Sequence, residues 1–353
     1  MDKRIPVGIL GATGAVGQRF IQLLENHPWF QIAALSASER SLGRRYGEAC
    51  RWVLDSEMPP AVREMVLRPP TAEALDCPLV FSALPAEVAG PLEEALARAG
   101  VAVCSNTSTH RMDPDVPLLI PEINPGHLAL IPVQRERRPW PGLLVTAPNC
   151  ASTPMAIVLR PLDQAFGVRH VHVVTLQALS GAGYPGVASL DIIDNVLPFI
   201  GGEEAKMERE PRKMLGRFAG DHIQDARFVT SAQCNRVPVQ DGHLVCLSVA
   251  LEQRATVDEV RRVLSTYQGE IADLRLPSAP RPLIVVRAEE NRPQPRRDRG
   301  AGAGMAITVG RIQTCPVNDI KLVALAHNTI RGAAGGAILN AELLRAQGLL
   351  GLS

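Results

Sequence analysis

The residues best suited to chemistry in this chain lie in Pro148-Asn149-Cys150-Ala151-Ser152-Thr153-Pro154, between an apolar run at 143–147 and a helical pattern at 152–166. A thiol between a strand end and a helix start sits where the helix dipole favours the thiolate, the nucleophilic form of cysteine. The other six cysteines (Cys50, Cys77, Cys104, Cys234, Cys246, Cys315) lack that setting and read as structural. A thiol nucleophile calls for a nearby base. His243, beside the glycine of Gln240-Asp241-Gly242 and opening the apolar run 243–251, is the residue expected in that role. His170 and His172 share one strand face, but no third ligand follows at a metal-site spacing, so no metal centre is expected.

A second pattern serves binding rather than reaction. Gly11, Gly14 and Gly17 follow the apolar strand 5–10 and open a helix marked by Phe20, Ile21, Leu23 and Leu24. The spacing G-x-x-G-x-x-G differs from G-x-G-x-x-G but permits the same tight turn, with backbone N–H groups and a helix dipole facing a pyrophosphate. Thr13, Ala15 and Val16 within the turn belong to the expected cofactor contacts. An NAD enzyme carries an acidic residue about 20 positions further on to hold the ribose hydroxyls. Here that region reads Ser36-Ala37-Ser38-Glu39-Arg40-Ser41-Leu42-Gly43-Arg44-Arg45. Hydroxyls and arginines suit a 2′-phosphate, so NADP is the expected cofactor, held by Ser38, Arg40 and Ser41, with Glu39 the one residue that argues the other way.

These groups need a scaffold of alternating elements. Apolar runs at 32–35, 78–84, 101–105 and 143–147, with a helical pattern over 87–99, predict parallel strands joined by crossover helices. After residue 150 the texture shifts to alternating strands at 171–178, 228–231, 243–251, 283–286, 306–311 and 320–326, with a helix at 257–266. The fold class is therefore α/β, with a Rossmann-type dinucleotide-binding domain followed by an α+β domain. Residues 330–349 have helical spacing and are expected to pack back on the first domain, while 291–304 reads as an exposed loop. No internal repeat is visible.

Composition bounds the partners. In 353 residues, 37 basic side chains balance 36 acidic ones to a formal charge of +1, which points away from nucleic acid and anionic membranes and towards a small molecule. Hydrophobic residues make up 46% and charged ones 21%, enough for roughly two packed domains. Gly and Pro number 29 each, natural for many strand-to-helix turns. Seven cysteines, odd in number and without a C-x-x-C pair, fit a reducing compartment. No run of about eighteen apolar residues occurs, and a cytoplasmic enzyme is expected.

Taken together, the motifs resemble the aspartate-semialdehyde dehydrogenases of the archaeal and fungal type, over residues 5 to about 345. They are GATGAVG at 11–17, ASERSLGRRYGEA at 37–49, FSALP at 81–85, HRMDPDVPLLIPEINP at 110–125, PNC at 148–150, SGAGYPGVASLDIIDN at 180–195, CNRVPVQDGH at 234–243 and HNTIRGAAGGAILNAEL at 327–343. The resemblance implies that Cys150 is the nucleophile and that His243, seven after Arg236, is the general acid/base. It implies that Arg236 pairs the substrate α-carboxylate, that Gln177 orients the acyl carbonyl, and that Glu203 and Lys206 hold the substrate amine and phosphate; Glu204 competes with Glu203 for that assignment. Arg111 and Asn149 complete the phosphate site. Ser180, Gly181 and Gly183 approach the nicotinamide, Asn328 meets it from the far side, and Ser82 adds a cofactor contact. Two positions depart from the family pattern: Ala151, where Ser or Thr is usual, and Ala147, where Asn is usual.

The implied reaction is NADPH-dependent reductive dephosphorylation of L-aspartyl 4-phosphate to aspartate 4-semialdehyde through a cysteine thioester, on the route to lysine (through diaminopimelate), threonine, methionine and isoleucine. The implied division is 1–150 with 328–353 for NADP binding and 151–327 for catalysis and dimerisation, in a homodimer or homotetramer. A malonyl-CoA reductase shares the scaffold, cysteine, histidine and NADPH, and stays open as an alternative at this point. N-acetylglutamyl-phosphate reductases place their cysteine between Gly and Tyr, unlike Pro-Asn-Cys-Ala. A non-catalytic NADP-sensing regulator would have lost Cys150, Gln177, Arg236 or His243, and all four are present.

Overall fold

The computed structural model describes residues 4–350. The expected domain limits at 1–3 and 351–353 lie outside the described residues. The first sheet has strands β1 (Ile5–Leu10), β2 (Phe30–Ser36), β3 (Leu79–Ser82), β4 (Ala102–Ser105) and β5 (Leu143–Thr146) in the order β2-β1-β3-β4-β5, every neighbour parallel. Every residue of β3, β4 and β5 is buried, as a parallel sheet covered on both faces requires. Strand order reverses at β1, which opens a crevice at the carboxyl ends of β1 and β3. Gly11, with φ of +70°, closes β1 there, and a Cβ at this position would lie 2.5 Å from the Ala83 carbonyl oxygen after β3. Helix α1 (Ala15–Leu24) then starts at the crevice.

The second sheet is mixed and six-stranded: Ile284–Val286, Ile307–Thr314, Ile320–Ala326, His243–Leu251, β6 (Val168–Gln177) and Val229–Arg236, in that spatial order. Helix Ser152–Phe166 covers its inner face, packing Met155, Ile157, Leu159 and Leu162 against Val171, Val173, Val245 and Leu247. The alternation in β6 places Val171, Val173 and Thr175 inside and leaves His172 and Val174 exposed on the outer face.

The chain then returns. A turn at Ile330–Ala334 leads into helix Gly335–Ala346, whose Ile338, Leu339, Leu343 and Leu344 join the first core with Ile9, Phe20 and Phe81, as the pattern at 330–349 predicts. Glu342 on that helix is fully buried, accepting hydrogen bonds from Ser278 and facing His27 Nε2 at 2.8 Å.

Two features depart from expectation. Segment 291–304 is a tied-down turn rather than an exposed loop: it contains the helical turn Pro295–Asp298, and Asp298 is buried where Arg292 and Arg287 pair with it. Four arginines in the segment mask that anchor in the sequence. Helix Glu203–Met214 has only a thin apolar stripe, Met207, Pro211 and Met214, to announce it, because half of the residues it buries are charged.

Candidate active site

Cys150 lies at the turn before helix Ser152–Phe166, its Sγ 3.2 Å from Nε2 of His243, the first residue of its strand. The Ala178 N–H donates to His243 Nδ1 at 3.0 Å, so the neutral ring carries its proton on Nε2 and directs it at the sulfur. Burial, with Arg236 and His327 nearby, pulls His243 down to about 3. The helix start does not deliver the thiolate by itself: burial and the Glu203 carboxylate push the Cys150 thiol up to about 12, with Arg111 and Arg236 opposing them. The helix-start donors are also taken up locally. Asn149 Oδ1 accepts the N–H groups of Ala151 and Ser152 at 2.8 and 3.0 Å, so these helix-start donors are occupied by a side chain rather than left for the sulfur.

Glu203 organises the surrounding polar groups. Its Oε1 accepts from Asn149 Nδ2 at 2.8 Å and Gln177 Nε2 at 3.0 Å, and its Oε2 lies 3.5 Å from Lys206 Nζ. Glu204 instead faces the neighbouring strand, accepting from the Cys234 N–H, so Glu203 is the carboxylate at the site. Arg111 donates to Glu210 and to the Asn106 carbonyl, and Arg236 to the Ala178 carbonyl. Asn106, Arg111, Asn149, Gln177, Glu203, Lys206 and Arg236 line one cavity of about 460 Å³ between the two sheets, together with Cys150, Ser180, Gly181, Gly183 and Asn328.

The cofactor end is made of backbone. Gly14 caps α1 without any side-chain bond, which leaves the N–H groups of Ala15, Val16 and Gly17 open at the crevice end of the helix. Gly17 fits only as glycine: a Cβ would stand 2.2 Å from the Gly11 oxygen and 2.7 Å from the Ala12 Cα. This cradle suits a dinucleotide pyrophosphate. Ser38, Arg40 and Ser41 lie at the turn after β2, outside the catalytic cavity. There Arg45 is committed to Glu64 at 2.6 Å and Arg44 to the Glu48 carbonyl, while Arg40 is exposed and has no partner among the described residues. Thr13 accepts Gln18 with its carbonyl, which braces the turn. Ser82 is fully buried beneath the crevice and does not line the cavity. Asn328 donates to Ser180 Oγ and accepts the Gly242 N–H, tying the loop after β6 to the start of the His243 strand.

Known proteins share this arrangement. The description "Semialdehyde dehydrogenase, NAD binding domain" matches residues 6–131, and "Semialdehyde dehydrogenase, dimerisation domain" matches 159–331. The aspartate-semialdehyde dehydrogenase of Archaeoglobus fulgidus is 49% identical over 341 residues, 97% of this chain and 98% of its own. This chain belongs to the aspartate-semialdehyde dehydrogenase family. The Schizosaccharomyces pombe aspartate-semialdehyde dehydrogenase is 46% identical over 354 residues, covering 98% of this chain and 99% of that one. Among solved structures, the Candida albicans aspartate semialdehyde dehydrogenase with NADP superposes at a TM-score of 0.91 and 40% identity over 98% of this chain and 100% of that one. The Vibrio cholerae aspartate semialdehyde dehydrogenase II complexed with ASA reaches 0.75 at 25% identity over 98% and 99%.

Within this family member the structure adds residues that the motifs alone did not single out. A Cβ on Gly332 would lie 2.6 Å from the Cys150 Cβ, so the returning C-terminal turn presses its backbone on the nucleophile. The preceding residue, Arg331, forms a buried two-pronged pair with Glu122 at 2.7 and 2.8 Å. Glu210, seven residues after Glu203, accepts the Asn149 N–H at 2.6 Å. A signal for Glu210 existed in that spacing, two helical turns along the same face; for Gly332 none did beyond a run of small residues.

Proposed function

We propose that this chain is an NADP-dependent aspartate-semialdehyde dehydrogenase of amino-acid biosynthesis, acting on L-aspartyl 4-phosphate. The observation that carries the proposal is the 3.2 Å approach of Cys150 Sγ to His243 Nε2 at a cavity walled by Arg111, Lys206 and Arg236. A thiol beside an imidazole suits acyl transfer, and three cations in one small cavity suit a substrate that is anionic at both ends.

In the biosynthetic direction the Cys150 thiolate attacks the acyl carbon, the carbon–oxygen bond to phosphate breaks, and a thioester with inorganic phosphate results. Held at the glycine turn Gly11–Gly17, NADPH would supply the hydride needed to reduce this thioester. The thiohemiacetal then collapses, returning the sulfur as thiolate and releasing the semialdehyde. Arg111 and Lys206 bind the phosphate, and the open part of the Arg236 fork takes the α-carboxylate. Glu203 takes the substrate amine, and Gln177 aligns the acyl oxygen. Asn149 acts on the phosphate end while its amide also caps the helix behind the nucleophile. His243 stabilises the thiolate with its Nε2–H and serves as general acid/base; to carry a second proton, its Nδ1 must release the Ala178 N–H.

For the cofactor, Gly11, Gly14 and Gly17, with Thr13, Ala15 and Val16, receive the pyrophosphate. Ser38, Arg40 and Ser41 receive the 2′-phosphate, while Ser180, Gly181, Gly183 and Asn328 surround the nicotinamide end; Ser82, expected there from the resemblance, is buried too deeply to join them. We assign residues 1–150 and 328–353 to cofactor binding and 151–327 to catalysis and dimerisation. A homodimer is supported by apolar side chains left outside: Leu190 is 91% exposed, Ile193 65% and Phe199 73%, beside the uncovered outer face of the second sheet. No helix among the described residues is long and apolar enough to cross a membrane, and seven unpaired cysteines support a cytoplasmic setting.

The test is NADP reduction by the purified protein with aspartate semialdehyde, with and without phosphate, beside malonate semialdehyde plus CoA and a Cys150→Ala control. Phosphate-dependent reduction abolished by the substitution is the expected result. CoA-dependent reduction with malonate semialdehyde alone would replace the proposal with a malonyl-CoA reductase.

A further inference from the structure

Helix Glu203–Met214 turns charge inward. Glu203, Glu210 and Lys213 are 5%, 2% and 4% exposed, depths that charged side chains rarely reach without partners. With Lys206 they recur at steps of three and four, which puts all four on one face of the helix. The first half of this stripe, Glu203 and Lys206, lines the cavity; the second half, Glu210 and Lys213, does not.

What the second half holds is one loop. Lys213 Nζ donates to the carbonyls of Arg111, Asp113 and Val116 at 2.7, 2.7 and 2.9 Å, which uses all three ammonium protons. Glu210 Oε1 accepts from Arg111 Nη1 at 3.0 Å while its Oε2 accepts the Asn149 N–H at 2.6 Å. The other prong of Arg111 donates to the Asn106 carbonyl at 2.8 Å. Segment 106–116 is therefore wrapped around one buried ammonium, and its only arginine is tied by one carboxylate to the residue beside the nucleophile. A buried ammonium carries a desolvation cost that an apolar side chain at this position would not, so its retention calls for a return in geometry.

We infer that Glu210 and Lys213 are positioning residues: without touching substrate, they fix the Arg111 loop against Asn149 and thereby set the phosphate-binding end of the cavity. This rests on the function proposed above.

The clamp has a built-in pH dependence. Burial pulls Lys213 down to about 8, although Asp113, Asp225, Asp115 and Glu210 all favour its charged form; His127 also faces it. A neutral amine offers two N–H groups to three carbonyls, so deprotonation leaves one of the three without its donor and loosens the clamp.

The experiment follows phosphate-dependent reduction of NADP by aspartate semialdehyde. If the wild type shows no phosphate dependence, the proposed function fails and the inference with it. If it does, Lys213→Met and Glu210→Gln are expected to raise the phosphate KM at least about tenfold and leave the NADP KM within about twofold. The wild-type phosphate KM is expected to climb from about pH 8 to about pH 9.5, where phosphate is already the dianion, and the climb to be absent in Lys213→Met. An unchanged phosphate KM, an equal rise in the NADP KM, or the same climb in Lys213→Met would overturn the inference while leaving the proposed function standing. Should Lys213→Met not fold, Glu210→Gln and the wild-type pH series decide it.

Discussion

The two ends of the cleft are built from different materials. The pyrophosphate cradle of the cofactor end is a single stretch of seven residues whose working groups are backbone N–H donors, and it depends on glycine because side chains would fill it. The substrate end is assembled from side chains on six separated segments, around 106–111, 149–150, 177–181, 203–213, 236–243 and 328–332, and it depends on charge at depth. A backbone site is written locally and read as spacing. A side-chain site exists only once the chain has folded, and its supporting residues resemble ordinary surface charge until then.

The largest expected effects come from placing one methyl group at each end. In Gly17→Ala the new Cβ meets the Gly11 oxygen at 2.2 Å and the Ala12 Cα at 2.7 Å, all backbone that cannot rotate away. Overpacking of this kind costs about 1–3 kcal/mol, and the cradle should lose NADP affinity together with thermal stability. In Gly181→Ala the Cβ meets Arg236 Nη1 at 2.7 Å and the His243 ring at 2.9 and 3.0 Å. Arg236 is held by the Ala178 carbonyl and His243 is fully buried, so neither yields freely. Displacing such groups by a fraction of an ångström to an ångström should lower kcat by about 100-fold, with a smaller loss of NADP affinity than in Gly17→Ala. Titration of NADP by protein fluorescence beside steady-state kinetics separates the two. Equal loss of NADP affinity in both variants would erase the division between the ends.

That division also sets what was legible beforehand. The strand–glycine–helix start, the parallel sheet and the returning C-terminal helix follow from apolar periodicity and turn residues, which act over a few positions. The closeness of Cys150 and His243 is expected from their settings, and the place of Arg236, Gln177 and Glu203 beside them from the resemblance alone. The helix 203–214 escaped because a buried charged stripe has the same composition as a solvated one; only the partners at Asn149 and in segment 111–116 distinguish them. The state of the thiol escaped for a related reason. A helix start predicts a thiolate, but burial, which exists only once the chain has folded, disfavours the charge, and Glu203 adds negative charge from a helix some fifty residues later.

The second prediction sharpens the electrostatic side of the comparison. Burial first and Glu203 second raise the Cys150 thiol, to about 12, so in the ligand-free enzyme the thiolate fraction at neutral pH is small and alkylation should keep accelerating well past pH 9 rather than level off. Glu203→Gln removes the charge that disfavours the thiolate. The pKa should fall and iodoacetamide should modify Cys150 several-fold to about tenfold faster at about pH 8, since one unit of pKa is tenfold in thiolate. Arg236→Ala removes a charge that favours the thiolate and should slow alkylation at the same pH. Slower alkylation in Glu203→Gln would mean that its hold on Asn149 and Gln177 outweighs its charge.

The smallest effect belongs at the rim of the cofactor end, the one place where that end does rely on side chains. Arg40 is exposed, so its pairing with a 2′-phosphate is screened and worth about 1 kcal/mol, or about fivefold in KM for NADPH. Arg40→Ala should therefore raise the NADPH KM by that factor and leave the NADH KM alone, because NADH has no phosphate there to lose. Arg45→Ala provides the contrast: its guanidinium is already committed to Glu64 at 2.6 Å, and removing it should change neither cofactor's KM appreciably. Equal shifts for NADPH and NADH in Arg40→Ala would show that the arginine shapes the turn after β2 rather than reads the phosphate. A larger NADPH effect in Arg45→Ala would show that the Glu64 pair breaks when cofactor binds, and that selectivity comes from a rearranged turn instead of the free arginine.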